Sequence, residues 1–196
     1  IMKYIISGTG RSGTTLIHSV LKELGVSIGQ HEISLGEQGG VGGYRVIPNM
    51  TKKNDNYKII MQVRDPVETI NSILKSSPSD FPNLGLYKKD YEDITLYTLN
   101  VWYKIHIKLM ETSILNYTLN NLNKGEVTDR LIALFDIKCS PNKFNTQIKQ
   151  SLNTSARNKR EGGPNLSLND LKDLDPSLFN KVYELYNNVE NAHKKT

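Results

Sequence analysis

Residues 5–25, IISGTGRSGTTLIHSVLKELG, constrain the fold more than any other stretch of the chain. A short apolar run from Tyr4 to Ser7 closes on glycine and reads as a buried strand. Leu16, Ile17, Val20, Leu21 and Leu24 then fall on one stripe of a helix over residues 14–24, which Gly25 stops. A strand, a glycine turn and a helix start form an anion site, because backbone N–H groups point into the turn and the helix dipole adds partial positive charge. Gly8, Gly10 and Gly13 let the backbone approach closely, and Thr14 and Thr15 can add hydroxyl donors. Gly8, four residues and Gly13 fit the frame of the phosphate loop G-x-x-x-x-G-K-[ST]. Thr14 stands where the lysine belongs, and a positive charge lies inside the loop at Arg11 instead.

The remaining pattern alternates strands with helices. VSIGQHE, residues 26–32, reads as a second strand ending in His31 and Glu32. Between Leu35 and Val46 lie five glycines, a density that predicts a mobile loop. YKIIMQV, residues 57–63, is nearly continuous in apolar residues and predicts a strand buried on both faces. In the RDP that follows, Pro66 suits the first turn of a helix running to about Lys75. A loop at SSPSDFPNLG, a long helix over 90–113 and a strand at SILNYTL come next. Helical spacing returns over 126–137, TSARNKREGGP predicts no regular structure, and a helix over 175–192 closes the chain. The expected fold is a single α/β domain over residues 1–196, with a P-loop-type parallel sheet flanked by helices.

Composition removes several classes of function. With 25 Lys and Arg against 20 Asp and Glu the net charge is +5, which suits an anionic ligand. The one cysteine, Cys139, excludes an intrachain disulfide and a multi-cysteine metal site, and reads as a small hydrophobe. No run of about 18 apolar residues predicts a membrane span, and IMKYIISGTG lacks the basic-then-apolar pattern of a secretory leader. A cytoplasmic protein with no membrane partner is expected. Basic and aromatic residues do not interleave as in nucleic-acid modules, so no nucleic-acid partner is expected.

A second signal is VRDPVETINS, with Arg64 after the buried strand and Ser72 eight residues on. Arginine suits bidentate phosphate contact; the plainer reading is a local ion pair with Asp65 or Glu68. The chain has only six arginines, and Arg11, Arg64, Arg157 and Arg160 fall in or beside three loops that would line one cleft. A solvated surface could use lysine throughout.

GRSGTT before a helix, and VRDPVETINS with its Arg and Ser eight apart, together resemble the sulfotransferase family. The donor of that family is 3′-phosphoadenosine 5′-phosphosulfate (PAPS). The resemblance implies that Gly8, Thr9, Gly10, Arg11, Ser12, Gly13, Thr14 and Thr15 hold the 5′-phosphosulfate, and that Arg64 and Ser72 hold the 3′-phosphate. ARNKREGG, residues 156–163, stands where the family's nucleotide-closing loop is expected, which assigns Arg157, Lys159, Arg160 and Gly162 to the donor. LNYTLNNLN…TDRLIALFDI looks like the strand and helix before that loop, with Thr118 where the family has an acidic residue.

The implied reaction is direct in-line transfer of a sulfuryl group to a hydroxyl or amine of a small-molecule or carbohydrate acceptor, leaving 3′,5′-ADP, without a metal. A transferring sulfuryl group carries less charge than a phosphoryl group, which lysine and Mg²⁺ meet in kinases, so the missing lysine has a physical account. Arg11 corresponds to the family's basic loop residue and would stabilise charge on the transferring group and the bridging oxygen. The family's base is a His or Glu near the end of the second strand. Carbohydrate-type members often use Glu here, so the resemblance favours Glu32, with His31 second; strand neighbours face opposite ways, so one of the two is expected to reach the sulfuryl group, and Glu37 is an outside candidate. His18 and His106 read as packed or solvated helix residues. The alternatives are a small-molecule kinase using ATP and Mg²⁺, against which Thr14 argues, and a non-enzymatic phosphate- or RNA-binding protein.

Overall fold

The computed structural model describes residues 2–30, 36–44, 56–76, 78–157 and 164–193. At its centre is a five-stranded parallel sheet built from β1 (Lys3–Gly8), β2 (Ile28–Gln30), β3 (Gly39–Gly43), β4 (Tyr57–Val63) and β5 (Ser113–Thr118), in spatial order β2-β3-β1-β4-β5. Alternation along the strands splits the core in two. Ile5, Met61 and Val63 point to one face, and Ile6, Ile60, Leu115 and Tyr117 to the other. Each fully buried aliphatic side chain contributes about 1.5–3 kcal/mol against exposure, and apolar burial on both sides explains the near-continuous apolar runs of β1 and β4.

Helices cover both faces. α1 (Thr14–Glu23) lies against the Ile6 face with α6 (Pro141–Arg157), through Ile17, Val20, Phe144 and Ile148. α2 (Pro66–Leu74), α3 (Ile94–Met110) and α8 (Pro176–Asn191) cover the Ile5 face through Ile70, Trp102, Ile105 and Val182. Three shorter α-helices also lie among the described residues: α4 (Leu119–Lys124), α5 (Thr128–Leu134) and α7 (Leu168–Leu174). The helix after β1 therefore goes to one face and the helix after β4 to the other, although the two strands are neighbours. That reversal opens a crevice at their carboxyl ends, the place where open parallel sheets bind ligands.

Three expectations are corrected. The glycine-rich segment predicted as a mobile loop contains β3, an interior strand paired to β1 on one side and β2 on the other. Its glycines are demanded by backbone approach: a Cβ on Gly39, at φ +143°, would sit 1.8 Å from the carbonyl oxygen of Tyr4. The segment from Thr154, predicted irregular, continues α6 as far as Arg157. That helix carries Phe144, Ile148 and Leu152 four residues apart, a single stripe among polar residues. The expected helix over 90–113 is shorter, starting at the Asp93 cap and ending at Met110, so that Ser113 begins β5.

Candidate active site

The loop after β1 lies directly on β4. A Cβ on Gly8 would meet the carbonyl oxygen of Gln62 at 2.2 Å and Ser12 Oγ at 2.6 Å, so only glycine allows this packing. Gly10 is the opposite case, with nothing within 4 Å of an added Cβ. One side of the loop is therefore pressed into the sheet and the other is open. Arg11 holds a left-handed backbone at φ +71°, a conformation that costs a non-glycine residue about 1–2 kcal/mol. Gly13 follows at φ +91° as the N-cap of α1, and no side chain caps that helix start. The Ser12 N–H donates to the Thr9 carbonyl at 3.2 Å and closes the loop on itself. The hydroxyls of Ser7, Thr9 and Ser12 are fully buried here without a hydrogen-bond partner. A turn serving only to reverse the chain would not concentrate strain, an uncapped helix start and unpartnered hydroxyls in the seven residues from Ser7 to Gly13.

The second motif is set beside the first. Asp65 caps α2 by accepting from the Glu68 N–H at 3.0 Å, and Pro66 opens the helix. Burial raises the Asp65 carboxyl above its ordinary pKa against the lowering effect of its backbone hydrogen bonds. This start places Ser72 two turns along α2, facing the loop. Arg11 Nε donates to Ser72 Oγ at 3.0 Å, and Arg64 Nη1 donates to the Arg11 carbonyl at 3.4 Å. Residues 61 positions apart in sequence thus share one basic corner. Arg64 also makes the local pair that its sequence context allows: Nε and Nη2 each lie 2.8 Å from Glu68 Oε2.

The other candidates divide. β2 ends at Gln30, level with Val41 in β3, and runs toward the loop end of the sheet; His31 and Glu32, which follow, lie outside the described residues. β3, absent from the sequence expectation, stands between β2 and β1. An added Cβ on Gly43 would lie 3.7 Å from the Gly10 nitrogen, so Gly43 is an immediate neighbour of the loop on that side. Glu37 precedes β3 at the opposite end of the sheet, on the order of 15–20 Å from the loop by strand length. It is removed from the list of bases. Arg157 ends α6; Lys159, Arg160 and Gly162 lie outside the described residues. His106 is buried beneath the sheet with Nδ1 2.8 Å from the Trp102 carbonyl, and burial lowers its pKa to about 3. It is a neutral core residue.

Sequence reasoning missed Gln62 and Tyr117. Gln62 Nε2 donates to the Ser12 carbonyl at 2.8 Å, and Tyr117 OH donates to Gln62 Oε1 at 2.8 Å; both residues are fully buried. The one signal was a glutamine within the apolar run YKIIMQV.

Sheet order and crevice define an α/β fold with a parallel sheet flanked by helices. No family model matches the chain, and no curated protein matches it. Among solved structures it is similar to mouse sulfotransferase SULT7A1 complexed with PAP, with a TM-score of 0.55 and 15% identity. The match covers 96% of this chain and 84% of that one, and at this identity it speaks for the fold alone. Among the described residues no helix is long and apolar enough to cross a membrane.

Proposed function

We propose that this chain is a sulfotransferase that moves a sulfuryl group from PAPS to a hydroxyl or amine of a small-molecule or carbohydrate acceptor, without a metal. The observation that carries the reading is the shared corner of Arg11, Arg64 and Ser72 beside an uncapped helix start. A ligand with anionic groups at both ends of one nucleoside needs two adjacent anion sites of this kind. The open side of Gly10 leaves room for such a ligand.

The donor supplies an activated sulfuryl group on a phosphate leaving group. The loop from Gly8 to Thr15 holds the 5′ end through its N–H groups and the Thr14 and Thr15 hydroxyls. Arg64 and Ser72 hold the 3′-phosphate, with Arg64 exchanging its Glu68 partner for it. Arg157, Lys159, Arg160 and Gly162 close over the nucleotide. Arg11 meets the negative charge that grows on the bridging oxygen as the S–O bond breaks. Glu32 takes the acceptor proton as the acceptor oxygen or nitrogen bonds to sulfur, with His31 as the second candidate. Thr14 replaces the lysine that a kinase would use on the β and γ phosphates.

The test is transfer of label from [³⁵S]PAPS to a panel of hydroxyl and amine acceptors in EDTA, beside [γ-³²P]ATP with Mg²⁺. Labelled product from PAPS in EDTA is expected. Transfer from ATP with Mg²⁺ and none from PAPS would overturn the reading in favour of a kinase.

A further inference from the structure

The shape of the loop depends on a buried amide. Gln62 lies in β4 on the face covered by α1, and its two amide atoms are engaged on opposite sides. Nε2 donates to the Ser12 carbonyl, and Oε1 accepts from the Tyr117 hydroxyl on neighbouring β5. Burial pushes the Tyr117 phenol well above its ordinary pKa, so it stays a donor. A half-turn of the amide would set Oε1 against the Ser12 carbonyl, two acceptors with no proton between them, so the Ser12 carbonyl fixes which way the amide faces and the Tyr117 hydroxyl holds its other end. The pair therefore holds the Ser12 carbonyl turned toward the sheet.

A planar trans peptide directs its C=O and the following N–H in opposite directions, and no described peptide bond is cis. With the Ser12 carbonyl drawn to Gln62, the Gly13 N–H points away from it. An added Cβ on Gly13 would lie 3.0 Å from Gln62 Nε2, so the glutamine sits close beneath this one peptide. Leu119 packs on the same glycine, at 3.4 Å from that Cβ position, and fixes it from the β5 side.

We propose that Gln62, oriented by Tyr117, is a positioning residue that aims the Gly13 N–H at an anion bound in the loop. The assignment rests on the loop being the anion cradle of the proposed function. It does not require the anion to belong to PAPS.

Inorganic pyrophosphate, titrated into the ¹⁵N-labelled full chain, is the probe. In the wild type the amide resonances of Gly10, Gly13 and Thr15 should move. Gln62→Met fills the same volume without a donor. It should weaken pyrophosphate binding about tenfold, the usual loss for one charge-assisted hydrogen bond, and abolish the Gly13 movement while Gly10 and Thr15 still respond. Tyr117→Phe keeps the ring packing and removes only the hydroxyl, so a loss of a few-fold in the same pattern is expected. If Gln62→Met does not fold, Tyr117→Phe decides. Wild-type affinity with a normal Gly13 response in the deciding variant would overturn the proposal. So would equal loss at all three amides, which marks a loosened loop, or a wild-type Gly13 resonance that never moves. Pyrophosphate binding with this pattern, but no binding of 3′,5′-ADP, would overturn the proposed function and leave the role of Gln62 standing.

Discussion

The proposed function makes Glu68 a competitor with the nucleotide for Arg64. Arg64 Nε and Nη2 both sit 2.8 Å from Glu68 Oε2, and the two side chains are 30% and 59% exposed. An ion pair this open to water is worth about 0.2–1 kcal/mol. Presenting the guanidinium to a 3′-phosphate means giving up that pair. Glu68→Gln removes the competing charge, so 3′,5′-ADP should bind about 1.5- to 5-fold more tightly. Loss of a negative charge beside the phosphate acts in the same direction and fades with added salt. The same change removes an acidic residue from the first turn of α2, which should cost about 0.3–1 kcal/mol of stability. Tighter binding in a slightly less stable protein is the signature. Calorimetric titrations of 3′,5′-ADP and 5′-AMP at low and high salt read it directly. 5′-AMP, which lacks the 3′-phosphate, should be unaffected. Unchanged or weaker 3′,5′-ADP binding would refute the reasoning, as would an equal gain for 5′-AMP.

Four further outcomes are expected. Arg11→Ala should keep the fold and the thermal midpoint while turnover falls by about 10²–10³, the scale for losing one transition-state donor; near-normal kcat would remove its role. Glu32→Gln should lower kcat by about 10²–10⁴ with PAPS affinity retained, and His31→Asn should cost less; the reverse order would exchange their roles. Gly39→Ala should fail to give folded protein, because its Cβ would sit 1.8 Å from the Tyr4 carbonyl oxygen, whereas Gly10→Ala, with nothing within 4 Å, should melt like the wild type. Asp65→Asn keeps the N-cap and removes a carboxylate whose pKa burial raises, so it should raise stability at pH 7. Folding makes Asp65 easier to protonate, so its penalty exists only while it is ionised; the advantage of this variant over the wild type should vanish as pH falls below the ordinary value of 3.8. Urea melts at pH 7 and pH 3 measure both.

β1, β4, α1 and α2 were legible because buried parallel strands and amphipathic helices write themselves in side chains. β3 was not, because its sequence GGVGG has almost no side chains to carry a period. What makes it a strand is the closeness of Tyr4 and Gly10 to its backbone, which exists only after the sheet has formed. α6 was hidden by its polar composition, with apolar anchors only at Phe144, Ile148 and Leu152. The meeting of Arg11 with Ser72 depends on β1 and β4 being neighbours although β2 and β3 intervene in sequence. The link from Tyr117 to Gln62 to Ser12 needs strand order and facing as well, neither of which is written locally. Glu37 was misplaced for the same reason as β3, since a strand after it carries the chain away from it toward the loop.

In the proposed function one nucleotide is gripped at both ends, by the Gly8–Thr15 loop and by the Arg64 and Ser72 pair. The most direct test of that two-ended grip is calorimetric titration of the wild type, in metal-free buffer, with 3′,5′-ADP, 5′-AMP and 3′-AMP. 3′,5′-ADP should bind without metal, and removing either phosphate should weaken binding by about 10- to 100-fold, as expected for losing charge-assisted hydrogen bonds. Binding of 5′-AMP as tight as that of 3′,5′-ADP, or no binding of 3′,5′-ADP, would contradict it.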